Sequence, residues 1–311
     1  MCEYCVPSIQ INRDQIKATG KRMIPVMQLP EGTWWADTTP MILALEERHP
    51  NGRSVLPDDP AQRFLARLIE DFADEWLVLA MFDYRWNEEI DQDFCSRRQI
   101  AGWLGAMPRE KLDELVAAFR RRQTMLLALL GDRELNRPLL QDTYARVLSA
   151  IEAQLEEQRF LFGSRPSIAE FGLFGQLSQL AIDPTASRIM RGDAVRTYQW
   201  VQDLDDASGI EGIWNDARAE IGPAVASLLQ LIGAVYLPYL EANAAAAAQD
   251  KETFSARFDG CDFTARVVPY RVNCLRWLRA ALDEVSGDAR LRLEAILRRF
   301  DCWDRLQLTP Q

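Results

Sequence analysis

The spacing of apolar and polar positions changes character near residue 60, with short runs between turns before it and helical stripes after it. Met1 to Asn12 is apolar and β-branched enough for one strand, at Val6–Ile11, and Arg13 to Gly20 reads as a short helix or turn. Met23 to Leu29 is a second short apolar run. Pro30-Glu31-Gly32 then supplies turn chemistry, and Trp34-Trp35 suits a half-buried strand. Asp37, Thr38 and Thr39 are all good N-cap residues, and Pro40 fits the first turn of the helix they open. That helix carries Met41, Ile42 and Leu45 on its apolar face and Glu46, Glu47 and Arg48 on its wet one.

Val55 to Pro60 reads as a linker stiffened by Pro57 and Pro60, with Asp58 or Asp59 placed to cap the helix that Pro60 opens. Phe64, Leu68, Phe72 and Trp76 then repeat every four residues, as a core-facing stripe does. Leu112, Leu115, Val116 and Phe119 mark a second stripe, and Val147, Leu148, Ile151 and Leu155 a third. Ser167 and Glu170 have the spacing of a capping box, a device for starting a helix. Asp183-Pro184 and Gly192-Asp193 read as two further helix starts, the second followed by Thr197, Trp200, Val201 and Leu204 on one face. Asp259-Gly260, flanked by alternating apolar positions, is a strong hairpin signal, and two more helices follow it.

Composition narrows the class. A chain of 311 residues with 48% hydrophobic content can bury a sizeable core in about two domains. A net charge of -10 and a pI near 4.9 argue against a nucleic-acid partner, which wants a basic stripe. The Met1-Cys2-Glu3-Tyr4-Cys5 start lacks the basic and apolar regions of a secretory signal. Six scattered cysteines fit reduced thiols in a cytoplasmic protein. Ile221 to Leu240 has no charge and near-spanning length, but its glycines and prolines favour a buried helix over a membrane span.

Candidate chemistry is sparse. The Cys2–Cys5 pair lacks a following helix to lower a thiol's pKa, because Pro7 interrupts it, and no second such pair completes a zinc site. No metal site is expected. His49, the single histidine, sits at a helix C-terminus where a cation meets the dipole, which leaves no material for a Ser-His-Asp scheme. Tyr84-Arg85-Trp86, placed between the first two helices of the second half, suits an anionic or aromatic ligand, or an Arg pairing a nearby Asp. Residues 23–42 offer a proline entering a strand and a helix N-terminus that suits a carboxylate. An ordinary β-turn-β-α unit with a well-capped helix explains the same residues.

Ile24-Pro25-Val26, the turn at Glu31-Gly32, then Asp37-Thr38 and an apolar helix resemble the glutathione-binding half of the glutathione S-transferase family, of the bacterial type. Gly163-Ser164-Arg165-Pro166-Ser167-Ile168-Ala169-Glu170 is similar to the segment that opens the central helix of that family's C-terminal domain, with Glu170 where Asp is usual. The resemblance, over roughly residues 6–205, implies an α/β plus all-α fold. Its partial thioredoxin-like N-terminal domain would span 1–56, and a larger all-helical C-terminal-type domain 61–311. The tail from about 235 exceeds the usual body and is, by position, a candidate cover for a substrate cleft.

By the same resemblance, the backbone of Ile24 beside Pro25 would pair with the cysteinyl part of glutathione. Asp37 and Thr38 would hold its γ-glutamyl end, and Lys21 or Arg22 would meet its glycyl carboxylate. The implied partners are glutathione as co-substrate, a small apolar electrophile and a second copy of the chain, with neither nucleic acid nor membrane. In the family the strand and helix carrying the catalytic Tyr, Ser or Cys come before the strand placed here at Val6–Ile11, so no residue inherits that role. Two expectations follow: a transferase activating the glutathione thiolate, or a transferase-derived binding or scaffold protein without turnover.

Overall fold

The computed structural model describes residues 17–18, 20, 25–50 and 52–307. The strand expected at Val6–Ile11, together with Cys2, Cys5, Lys21, Arg22 and Ile24, lies outside them. Contacts divide the chain into two units, Met1–Ser54 with Asp93–Arg121, and Val55–Gln92 with Arg122–Gln311.

In the first unit, β1 (Val26–Gln28) and β2 (Trp34–Ala36) form an antiparallel pair, with Met27 opposite Trp35. The Gly32 N–H donates to the Leu29 carbonyl and the Leu29 N–H to Thr33, each at 2.8 Å, closing the turn that Pro30-Glu31-Gly32 promised. Helix α1 (Thr38–Arg48) follows and ends at His49, whose N–H donates to Leu45 at 3.0 Å. The described residues here thus form a β-turn-β-α unit. The unit also takes in the facing parts of α4 (Glu89–Leu104) and α5 (Arg109–Leu126). Arg97 joins them by donating to Asp113 at 2.8 Å, and the Trp103 and Phe119 rings meet edge to face at 5.3 Å.

The second unit is helical and holds the main core. Helix α2 (Pro60–Phe72) starts as expected: Asp59 accepts from the N–H groups of Ala61 and Gln62, and Pro60 takes the first position. The Phe64–Trp76 stripe is fully buried. Each such side chain stabilises the fold by roughly 1.5–3 kcal/mol over the exposed state. The helix is not regular, however: a π-turn at Ala73–Leu77 separates α2 from α3 (Val78–Asn87). Residues Met81–Asn87 therefore lie within α3 and not between helices, which corrects the placement of the Tyr84-Arg85-Trp86 cluster.

Helix α6 (Arg133–Gln154) contains the third stripe up to Ile151, with Leu155 at its cap. Helices α7 (Ile168–Leu180), α8 (Pro184–Asp193) and α9 (Val195–Leu204) follow. Gly192-Asp193 ends α8 instead of starting α9. Helix α2 packs on α7, and α3 on α6 and α7. The uncharged segment becomes α10 (Pro223–Leu231), a second π-turn (Ile232–Tyr236) and α11 (Leu237–Ala247). It packs on α6 and on α12 (Pro269–Glu284), with 67% of its most apolar window buried. That burial makes it a core helix of this unit.

The hairpin forms as β3 (Thr253–Phe258) and β4 (Cys261–Arg266). Its two turn residues have positive φ, 48° at Asp259 and 79° at Gly260, as a twist-matched two-residue turn requires. Phe258 and Phe263 enter an aromatic cluster with Trp76 and Tyr239. Helices α13 (Gly287–Arg299) and α14 (Trp303–Gln307) close the chain, with α13 against α2. The tail is thus built into the core of this unit.

Candidate functional site

The residues singled out by sequence converge on the start of α1. Pro25 precedes β1 and is exposed; Asp37 and Thr38, half-buried, end β2 and begin the helix. Of the four residues named for the site, Pro25, Asp37 and Thr38 are described and Ile24 is not. Because Val26 is paired with Ala36, Pro25 lies beside the residue next to Asp37, so the strand pair brings the two ends of the motif to one corner.

Asp37 occupies the N-cap position but does not act as a standard cap. Its carbonyl accepts from the Met41 N–H at 3.2 Å, yet its side chain makes no capping hydrogen bond to the helix. Its backbone has φ 83° and ψ 115°, a region that non-glycine residues avoid. Holding it there costs on the order of 1–3 kcal/mol, and such strain clusters at ligand clamps and active sites. The first turn of α1 carries no acidic residue, so the Asp37 carboxylate at the N-cap is the acid nearest its positive dipole end.

At the other end of α1, the Arg48 guanidinium stacks over Trp35 at 4.6 Å and meets Glu31 at 3.3 Å. The two contacts tie the helix back to the strand pair. His49 is the C-cap, the bland position its sequence context suggested.

The Tyr84-Arg85-Trp86 cluster resolves to its structural reading. Arg85 donates to Asp183 at 2.7 Å and to Gln179 at 2.9 Å, inside the helical unit. Asp183 begins α8 without capping it; Asp91 accepts instead from the Thr185 N–H at 2.8 Å. The capping box forms as read: Glu170 accepts from the Ser167 N–H at 2.7 Å, and Ser167 accepts from Ala169 at 3.2 Å. Glu170 also accepts from the Leu161 N–H. Burial raises its carboxyl above the usual range, against the lowering effect of these bonds.

Sequence reading passed over a polar cluster around Asp71, Glu75, Tyr236, Tyr239 and Arg271. Two acids beside the apolar Phe72 and Trp76 positions were its only local signal. A cavity between Leu65, Phe162, Ile221, Val225, Ile296 and Gln62 measures ≈ 30 Å³. That is room for a water molecule and far below a drug-sized ligand. Among the described residues no group of three His, Cys, Asp or Glu side chains is placed to hold a metal.

Residues 109–202, from α5 to α9 and including the capping box, match the family model described as the glutathione S-transferase C-terminal domain. Comparison with curated proteins gave no match, and neither did comparison with solved structures. The domain match joins the capping box and the helical order around it in one assignment: residues 109–202 are similar to a glutathione S-transferase C-terminal domain.

Proposed function

We propose that the protein binds glutathione at the corner formed by Ile24, Pro25, Asp37 and Thr38 and uses its thiolate on a small apolar electrophile. The observation that carries this reading is the strained backbone of Asp37 where β2 gives way to α1. Backbone strain of the kind seen at φ 83° clusters at ligand clamps, which suits recognition of the γ-glutamyl carboxylate and amine. The positive end of α1 adds to the attraction for the carboxylate. The Ile24 backbone beside Pro25 would pair with the cysteinyl part, because a proline entering a strand leaves its neighbours' groups unclaimed by the ladder.

On this reading residues 1–56 are the glutathione-binding domain. Residues 61–311 are the helical domain, which offers apolar surface to the electrophile. The chain acts as a cytoplasmic homodimer. Chemistry consists of stabilising the thiolate at neutral pH by a hydrogen bond or dipole, so that sulfur attacks the electrophile and its leaving group departs.

Retention of the folded protein on immobilised glutathione, followed by turnover with a panel of apolar electrophiles, tests the proposal. Retention with turnover supports the transferase. Retention without turnover favours the non-catalytic alternative, and no retention counts against both.

A further inference from the structure

The cavity of ≈ 30 Å³ lies where the starts of α2 and α10 meet α13, and its wall is not wholly apolar. Beside Leu65, Val225 and Ile296 it is lined by Asp59, Gln62 and Arg292. Both Asp59 oxygens are engaged. Oδ1 accepts from the N–H groups of Ala61 at 3.1 Å and Gln62 at 3.0 Å, and Oδ2 pairs with Arg292 Nη2. The Gln62 Nε2 donates to the backbone carbonyls of Asn215 at 3.3 Å and Asp216 at 3.1 Å. Two atoms of these lining side chains are buried without a hydrogen-bond partner: Gln62 Oε1, an acceptor, and Arg292 Nε, a donor. Helix α10 opens on the same wall, with Gly222 as N-cap and no side-chain cap.

A polar atom buried without a partner carries the full cost of its desolvation, so a group that completes both atoms is strongly favoured. The chemistry of the pair selects that group. A metal cation could coordinate the Gln62 oxygen but would meet the Arg292 guanidinium and leave its N–H unpaired. An anion could accept from Arg292 but would set its lone pairs against those of Gln62. Asp59 already balances the Arg292 charge, and Glu220, the other acid of the lining, is exposed to solvent. What fits is a neutral group that donates and accepts at once. A water needs about 10–15 Å³ of such volume, so the space holds one water or two and excludes an organic ligand.

We infer that this cavity is an ordered-water site, in which a water donates to Gln62 Oε1 and accepts from Arg292 Nε. The water bridges the first turn of α2 to α13, beside the Asp59–Arg292 pair, and so adds a second polar link between the chain's tail and the helix that follows the linker. The site is separate from the glutathione corner and does not rest on that reading.

A crystal structure of the full-length protein, grown with rubidium bromide and at a resolution that shows ordered waters, tests it. The wild-type map is expected to hold a peak roughly 2.7–3.2 Å from both Gln62 Oε1 and Arg292 Nε, without rubidium or bromide anomalous signal. Gln62→Met, close in volume but without the acceptor, should lose that peak. Anomalous signal at the peak would make it an ion site and overturn the inference. So would a wild-type map without the peak, a direct hydrogen bond from Arg292 Nε to Gln62 Oε1, or a peak unchanged in Gln62→Met. The wild-type map decides the matter even where the variant fails to fold.

Discussion

Arg85 Nε lies 2.7 Å from Asp183 Oδ2 across 98 residues of sequence, with both side chains almost wholly removed from water. Gln179 shares the guanidinium. The pair ties α3 to the start of α8, and its desolvation makes it asymmetric. Removing one partner strands a buried charge, whereas replacing both with apolar groups is close to neutral. Arg85→Ala or Asp183→Ala should therefore cost about 3 kcal/mol in urea unfolding, on the scale of such losses. The double replacement Arg85→Met with Asp183→Leu should recover most of it. Single changes costing under about 1 kcal/mol would show that water already reaches the pair.

Glu170 offers a cleaner electrostatic test, because glutamine at the same position keeps the capping box but removes the charge. Its carboxyl is raised by burial. A raised acid contributes stability that is fully present below its unfolded value and lost as pH climbs through its folded value. Wild-type stability should thus fall as pH rises from acid toward neutral, and Glu170→Gln should flatten part of that fall. Parallel stability profiles for the two proteins would contradict it. Ser167→Ala, which removes the other half of the box, should cost about 1 kcal/mol at every pH.

Gly233 lies in the second π-turn where the chain passes close to Phe300. A Cβ there would sit 1.9 Å from the Phe300 carbonyl oxygen, which is backbone and cannot swing away. Gly233→Ala should destabilise by about 1–3 kcal/mol or more through overpacking. Thermal unfolding would show it, and an unchanged midpoint would mean that the segment after α13 shifts freely.

Asp37 predicts a split between stability and binding. Glycine tolerates φ 83°, so Asp37→Gly should relieve strain and leave the fold as stable, or up to about 1 kcal/mol more so. The same change should weaken glutathione binding. A variant that loses stability in denaturant melts would show that the aspartate supports the fold and is not held for a ligand.

Local chemistry made much of the fold legible. The capping box, the Asp59-Pro60 start and the Asp-Gly turn each satisfy their own backbone within a few residues, so tertiary context has little to override. The uncharged 221–240 run was readable as core from its interrupting glycines and prolines. The π-turns were not seen, although a trace existed. Apolar positions strictly four apart drift by about 40° per step around a helix of 3.6 residues per turn. Phe64, Leu68 and Phe72 stay buried across the regular helix despite that drift, and the wider turn at 73–77 takes it up at the last step, to Trp76.

What escaped the sequence was long-range pairing. Nothing local to Arg85 names Asp183, and nothing near Asp71 names Tyr236, 165 residues later. The candidate corner was partly legible for the opposite reason. Pro25, Asp37 and Thr38 lie within one β-turn-β-α unit, so the fold could only bring them together. The strained backbone of Asp37 was hidden, because its N-cap identity suggested a regular cap.

Calorimetric titration of glutathione into the wild type and into Thr38→Ala tests the central claim most directly. A charge-assisted hydrogen bond to the tripeptide carboxylate is worth roughly 1.5–3 kcal/mol. The account predicts saturable binding at one site per chain, weakened about tenfold to a hundredfold by Thr38→Ala at unchanged stability. No binding heat to the folded wild type, or equal affinity in both proteins, would contradict it.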